Sequence, residues 1–348
     1  MKKLFFKTGV LLLVAVIINQ LIFSFIKLPF SWGNFYGKEQ CLEKNAAQYN
    51  TVLMGSSRVF RQINPEYFDS LNQNINSTHT FNFGIDAMTI PELHYEFENI
   101  LRIKNLHAKY ILVELCDVDT FDAVNLHTLR KKYYYSTSTY FTSLKSLWQS
   151  AYPVYRKVAG SMAHTINWME CVLHFNSLNE VMPFKQNQQH SHVVCGNFFV
   201  PLQNNDTTLN FVLQGKTTNP HLELLKHTDQ LNVLHRNTQE IFRTTESVGK
   251  LNETYSTIAK QMIDEGKEFG VTVIFVLPPK LEETHYRNVI PVFKSLPAEN
   301  RIDIGDPYNY PQFYELRYAY DLGHVNVEGA RLYTQAMSST FLQLTQSK

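Results

Sequence analysis

Along this chain, short apolar runs alternate with longer segments whose apolar positions recur at helical spacing. The runs are Thr51 to Met54, Thr80 to Ile85, Tyr110 to Leu115, Val271 to Leu277 and Ile302 to Ile304. Between them, Pro91 to Leu101 sets Leu93, Phe97, Ile100 and Leu101 on one face, the pattern of a helix packed on a sheet. Leu251 to Phe269 does the same with Leu251, Tyr255, Ile258 and Met262, and Gly270 suits its C-terminal turn. A last helix is expected over Val327 to Leu344, with Asn326 as N-cap and Glu328 in the first turn. Strands alternating with helices predict an α/β fold rather than a β-sandwich or a helical bundle.

Two regions depart from this rhythm. From Asp119 to Lys250 the chain is rich in aromatics, His, Asn and Gln without clear alternation, and reads as an insertion or lid subdomain beside the sheet. Its KKYYYSTSTYF segment either lines a sugar-stacking groove or fills a small aromatic core. At the other extreme, Lys2, Lys3 and Lys7 precede a mostly apolar run of 19 residues that ends at Lys27. At about 1.5 Å per residue the run covers roughly 28 Å, close to the thickness of a bilayer core. Asn19 and Gln20 weaken that signal, and the leading lysines put the N-terminus on the cytoplasmic side. The expectation is a single-pass anchor in the inner or cytoplasmic membrane with the main domain periplasmic or extracellular; the alternative is a cleaved signal peptide. The expected organisation is therefore 1–27 anchor, 28–118 first part of the main domain, 119–250 insertion, 251–348 second part.

Composition narrows the partners. A chain of 348 residues with 44% hydrophobic content buries a substantial core, and 32 basic against 31 acidic residues leave a net charge of +1. No polybasic face draws it to nucleic acid. No Gly-rich phosphate loop and no internal repeat occur, so no nucleotide cofactor is indicated. Export makes disulfides possible, and Cys41, Cys116, Cys171 and Cys195 allow three complete pairings that sequence does not separate. There is no CxxC spacing; His190 and His192 in QQHSHVV are the nearest thing to a metal site and lack a carboxylate cluster beside them.

The chemistry concentrates at two places. YNTVLMGSSRVF ends an apolar run on Gly55, Ser56, Ser57 and Arg58. If a strand stops at Met54 and a helix begins near Arg58, the serines stand at the carboxyl edge of a parallel sheet, where open α/β folds place their sites, with unpaired helix-start N–H groups beside them. Far downstream, YDLGHVNVEGA carries Asp321 and His324 three residues apart. That spacing lets a carboxylate bind Nδ1 and leaves Nε2 to take a proton from a hydroxyl. A serine needs such a base to act as a nucleophile at neutral pH.

Together these residues resemble the SGNH (GDSL-like) hydrolase superfamily, through GSS (Gly55 to Ser57), FNFG (Phe81 to Gly84) and DLGH (Asp321 to His324). The continuation HVNVEGA is similar to the membrane-anchored branch that includes the alginate O-acetylation and D-alanyl-lipoteichoic acid transfer proteins. The resemblance implies a three-layer, SGNH-like or flavodoxin-like sandwich with a mainly parallel central sheet. It implies Ser57 as nucleophile with Ser56 second in line, His324 as general base, Asp321 as its orienting partner, and Gly84 joining Ser57 in the oxyanion hole. Arg58 is expected either to contact substrate or to pair locally. The family's third block departs here: ELCDVDTF carries Cys116 and Val118 where glycine and an oxyanion-binding asparagine are usual. Losing one such donor costs about 3 kcal/mol of transition-state stabilisation.

The function expected from the resemblance is an esterase or O-acyltransferase acting on acyl groups, in the first instance acetyl, of a cell-surface polysaccharide. A transferase would draw its donor from a polytopic membrane acyltransferase. The alternative is a non-catalytic glycan-binding or assembly protein on a degenerate fold of the same kind.

Overall fold

The computed structural model describes residues 2–25, 34–116, 125–126, 128, 130–150, 152–174, 195–203, 224–244, 249–281 and 283–346. Its centre is a five-stranded sheet of β1 (Thr51–Gly55), β2 (Thr80–Gly84), β3 (Tyr110–Glu114), β4 (Thr272–Leu277) and β5 (Arg301–Asp303). The order is β2-β1-β3-β4-β5 and every pairing is parallel. All residues of β1 and β2 are buried. Coverage on both faces is why these strands read as apolar runs rather than as an alternating pattern.

The helices are α1 (Lys2–Phe25), α2 (Asn34–Lys44), α3 (Ser57–Gln62), α4 (Pro65–Asn72), α5 (Ile90–Leu101), α6 (Lys131–Tyr134), α7 (Thr137–Gln149) and α8 (Val154–Val172), followed by α9 (Thr228–Arg243), α10 (Glu253–Glu268), α11 (Glu283–Lys294) and α12 (Val327–Gln346). Right-handed crossovers send the chain one way from β1 to β2 and the other way from β2 through β5, so the connecting helices divide between the two faces. On one side α12 packs on α3 and α4, with the Asn64 N–H donating to Thr334 Oγ1 at 3.1 Å and Ser338 Oγ donating to Asn72 Oδ1 at 3.0 Å. On the other, α5 packs on α10 and α10 on α11. The sheet is the middle layer of three.

Local signals act where the sequence puts them. Asn252 caps α10 by accepting the Tyr255 N–H at 3.0 Å, and Gly270 takes the positive φ of 73° that ends it. Asn326 caps α12, accepting the N–H groups of Glu328 and Gly329 at 3.1 and 3.0 Å.

The expected anchor is a 24-residue helix, α1. Among the described residues, no helix is long and apolar enough to cross a membrane, so the single-pass span is not supported by the structure. Asn19 and Gln20 of α1 donate their side-chain amides to the main-chain carbonyls of Leu173 and Val172 at the end of α8.

The region read as an insertion or lid subdomain carries helices α6 to α9 among its described residues, with 195–203 irregular. Its aromatics build a second core: Tyr134 and Tyr135 are 3% and 4% exposed and cluster with Leu126, Tyr140 and Trp168. Core filling, not a sugar groove, is the role of these two tyrosines. The subdomain is tied to the start of α10 by Asn252 Nδ2 donating to Ser146 Oγ at 2.9 Å and Thr254 Oγ1 donating to Gln149 Oε1 at 2.8 Å. Cys41 and Cys195 form a disulfide, closing a separation of 154 residues, while Cys116 and Cys171 stand outside that bridge as thiols. His190 and His192 lie outside the described residues.

Because two of the four cysteines are paired, protein denatured without reductant is expected to expose two reactive thiols and reduced protein four, by colorimetric titration. Replacing Cys41 and Cys195 together by Ser should lower stability by about 2–5 kcal/mol in urea unfolding.

Candidate active site

The turn between β1 and α3 is built by crowding. A Cβ at Gly55 would stand 2.5 Å from Glu114 Cβ and from Val59 Cγ2, so only glycine passes between β3 and α3. Ser56 follows in extended conformation as the N-cap, its Oγ accepting the Arg58 N–H at 3.3 Å. The same hydroxyl donates to Glu114 Oε2 at 2.8 Å, and the Ser56 N–H donates to Glu114 Oε2 at 2.6 Å. Ser56 is 6% exposed and turned inward, which leaves Ser57 as the hydroxyl that faces out. Ser57 opens α3, and among the described residues no acceptor takes its N–H.

Ser57 Oγ lies 2.7 Å from His324 Nε2, across 267 residues of sequence. The imidazole is presented by a tight loop in which the N–H groups of Tyr320 and Asp321 both donate to the His324 carbonyl, at 2.9 and 3.3 Å. Asp321 accepts His324 Nδ1–H at 2.9 and 3.0 Å through its two oxygens and the Gly323 N–H at 2.7 Å. That pairing puts the proton on Nδ1 and the lone pair of Nε2 toward serine. Burial works to raise the Asp321 carboxyl, but the neighbouring imidazole and these hydrogen bonds outweigh it and hold it below its ordinary value. The loop is braced by the Leu281 N–H, which donates to the Leu322 carbonyl at 3.0 Å, so the turn after β4 supports the turn after β5. The two side chains are 18% and 25% exposed, open enough for a substrate to reach the base.

The other expected residues are placed differently. The Gly84 N–H donates to Asn82 Oδ1 at 2.9 Å, and its carbonyl accepts Lys38 Nζ at 2.5 Å. A Cβ there would sit 2.2 Å from the Phe60 nitrogen, so glycine at this position lets α3 approach β2. Arg58 is buried, with Nε 2.5 Å from Glu114 Oε1, and faces the interior rather than a substrate. Cys116 is buried, which pushes its thiol well up, and its carbonyl accepts the Tyr255 hydroxyl at 2.9 Å. Val118 lies outside the described residues. The structure thus brings Ser57, His324 and Asp321 together and leaves Gly84 and Arg58 in supporting contacts.

Three side chains at the site have no counterpart among the sequence candidates. Glu114 is 2% exposed beneath the serine turn; its signal is an acid closing the apolar run YILVE. Asn82 donates to the carbonyls of Val59 and Ile63 at 2.9 and 3.0 Å and so fastens α3 to β2; its signal is an amide inside a buried strand. Lys38 lies 4.1 Å over the Phe60 ring, and burial brings its amine down to about 7, with Asp86 opposing and Arg61 adding to the shift. Nothing local marks it. The potential metal ligands Glu98 and Glu265 lie 3.7 and 3.8 Å from His94 Nε2, but on α5 and α10 rather than at this sheet edge. No protein-family model matches the chain, and no curated protein does.

Gly84→Ala should destabilise the fold by about 2–3 kcal/mol in urea titration, since the clash is with backbone. Lys38 sets a pH dependence of definite sign. Its amine titrates near 7 when folded and at 10.5 when unfolded, so between these values the unfolded chain binds more protons and stability rises with pH. Lys38→Met should flatten that rise in thermal melts taken from pH 7 to 10.

Proposed function

We propose that this chain is a serine esterase or O-acyltransferase of SGNH type, working through an acyl-enzyme on acyl esters of an extracytoplasmic glycan. The observation that carries the reading is the continuous hydrogen-bonded series from Ser57 Oγ to His324 to Asp321, with contacts of 2.7 and 2.9 Å at the carboxyl edge of a parallel sheet. Ser57 attacks the ester carbonyl while His324 Nε2 takes its proton; the imidazolium is stabilised by Asp321 and returns the proton to the departing alkoxide. The acyl group then passes to water or to a sugar hydroxyl activated by the same base. The Ser57 N–H supports the developing oxyanion, and the Gly84 amide joins it only when its bond to Asn82 opens.

The strand order 2-1-3-4-5 agrees with the flavodoxin-like topology of that family, and a crevice at the β1 to β3 switch point is where such sheets bind ligands. The Cys41 to Cys195 disulfide fits an oxidising compartment, and Lys2, Lys3 and Lys7 at the chain start fit a cytoplasmic N-terminus with the main domain outside. A polytopic membrane acyltransferase is the proposed donor should the acceptor be a sugar. One observation favours a second reading, a glycan-binding or assembly protein: the Gly84 amide is engaged by Asn82, and the third block carries Val118 where the family's asparagine is usual, so among the described residues the Ser57 N–H is the one ready donor identified.

A fluorophosphonate serine probe distinguishes the two. The folded parent and Ser56→Ala should label, Ser57→Ala should not, and Asp321→Asn should label more slowly by about 10⁴-fold. A folded parent that stays unlabelled favours the binding protein.

A further inference from the structure

A nucleophile on a turn is useful only if the turn cannot rotate. Ser57 has one neighbour on each side, and both are held by the same side chain. Glu114 accepts the Ser56 N–H at 2.6 Å, the Ser56 O–H at 2.8 Å and Arg58 Nε at 2.5 Å. The carboxylate holds Ser56 by its backbone N–H and hydroxyl and Arg58 by its side chain, and the Arg58 N–H in turn donates to Ser56 Oγ at 3.3 Å, so both residues flanking Ser57 are tied to Glu114. The carboxylate comes from β3 and the serine from β1, so the clamp spans the switch point of the sheet, where the side chain of any residue but glycine at position 55 would displace Glu114 Oε2.

The charges are arranged to match. An isolated carboxylate beneath the serine would oppose the negative charge that develops on the substrate oxygen. Arg58 neutralises it from the interior, and both side chains are almost wholly buried, at 8% and 2% exposure. A neutral polar side chain could accept only part of this set of donors: the amide of a glutamine has one acceptor oxygen and would turn its NH2 toward another donor.

We propose that Glu114 is a positioning residue for the acyl transfer, holding the Ser56 backbone and hydroxyl directly and Arg58 through its guanidinium so that Ser57 Oγ stays on His324 Nε2; this rests on the reading of Ser57 as nucleophile. Its effect is on the reacting geometry rather than on substrate affinity. Displacing a reacting atom by about 1 Å costs on the order of 100-fold in rate.

The test uses the full chain with 4-nitrophenyl acetate and the fluorophosphonate probe. Glu114→Gln should lower kcat by about 100-fold with KM unchanged, and labelling should slow in parallel. It should also lower the melting temperature, because the buried Arg58 loses the carboxylate at its Nε. The double variant Glu114→Gln with Arg58→Met removes that cation. Its melting temperature should recover while kcat and labelling stay low; recovery of rate together with stability would make Glu114 a purely structural residue and overturn the proposal. Where the double variant fails to fold, Glu114→Asp keeps the charge and shortens the clamp by one methylene, and parental kcat in it overturns the proposal equally. Absence of turnover and labelling in the parent overturns the nucleophile reading itself, and the positioning role with it.

Discussion

Parallel pairing of β1 with β2 and β3 sets Gly55, Gly84 and Glu114 level with one another at one edge of the sheet, and the contacts of the serine turn with Glu114 depend on that register. Gly55 pairs with Gly84 and Met54 with Val113, which brings Glu114 alongside the turn that carries the serines. Slipping one strand by a residue would turn the Glu114 side chain to the opposite face. Parallel register is costly to establish because the strands are far apart in sequence. Here it is supported by burial on both faces and by polar ties such as Asn82 to α3.

Two polar systems meet at this edge and differ in their exposure to solvent. Beneath Ser57, Glu114 and Arg58 are buried, and their charges are met by each other and by hydrogen bonds. Above it, His324 and Asp321 are partly open to solvent. The serine lies between a rigid support and an accessible base. Lys38 adds a third element: a buried amine on the carbonyl of Gly84, held between Phe60 and Phe198, on a helix that the Cys41 to Cys195 disulfide ties to a distant part of the chain.

Much of this was legible in the chain. The five strands fall on the five apolar runs to within two residues, since strands covered on both faces have little choice but apolar side chains. The ends of α10 and α12 follow from Asn252, Gly270 and Asn326, because caps are local chemistry. The helices α6 to α8 escaped notice because their buried faces are mainly aromatic and polar, as in the stacked Tyr140 and Trp168, and the tyrosines of KKYYYSTSTYF look the same in a core as on a binding surface.

By itself the sequence determined the layering, the strand positions, the helix caps and the identity of a serine, an aspartate and a histidine suited to one another. These depend on periodicity, on short-range hydrogen bonds, or on a three-residue spacing that places a carboxylate on an imidazole. Only the tertiary structure decided which serine faces the histidine, that Arg58 turns inward, that the Gly84 amide is already engaged, and which cysteines pair. Each of those depends on what stands opposite across the sheet edge. Glu114 is 58 residues from Ser56 and His324 is 267 from Ser57, and no local pattern encodes partners brought together by folding at such separations.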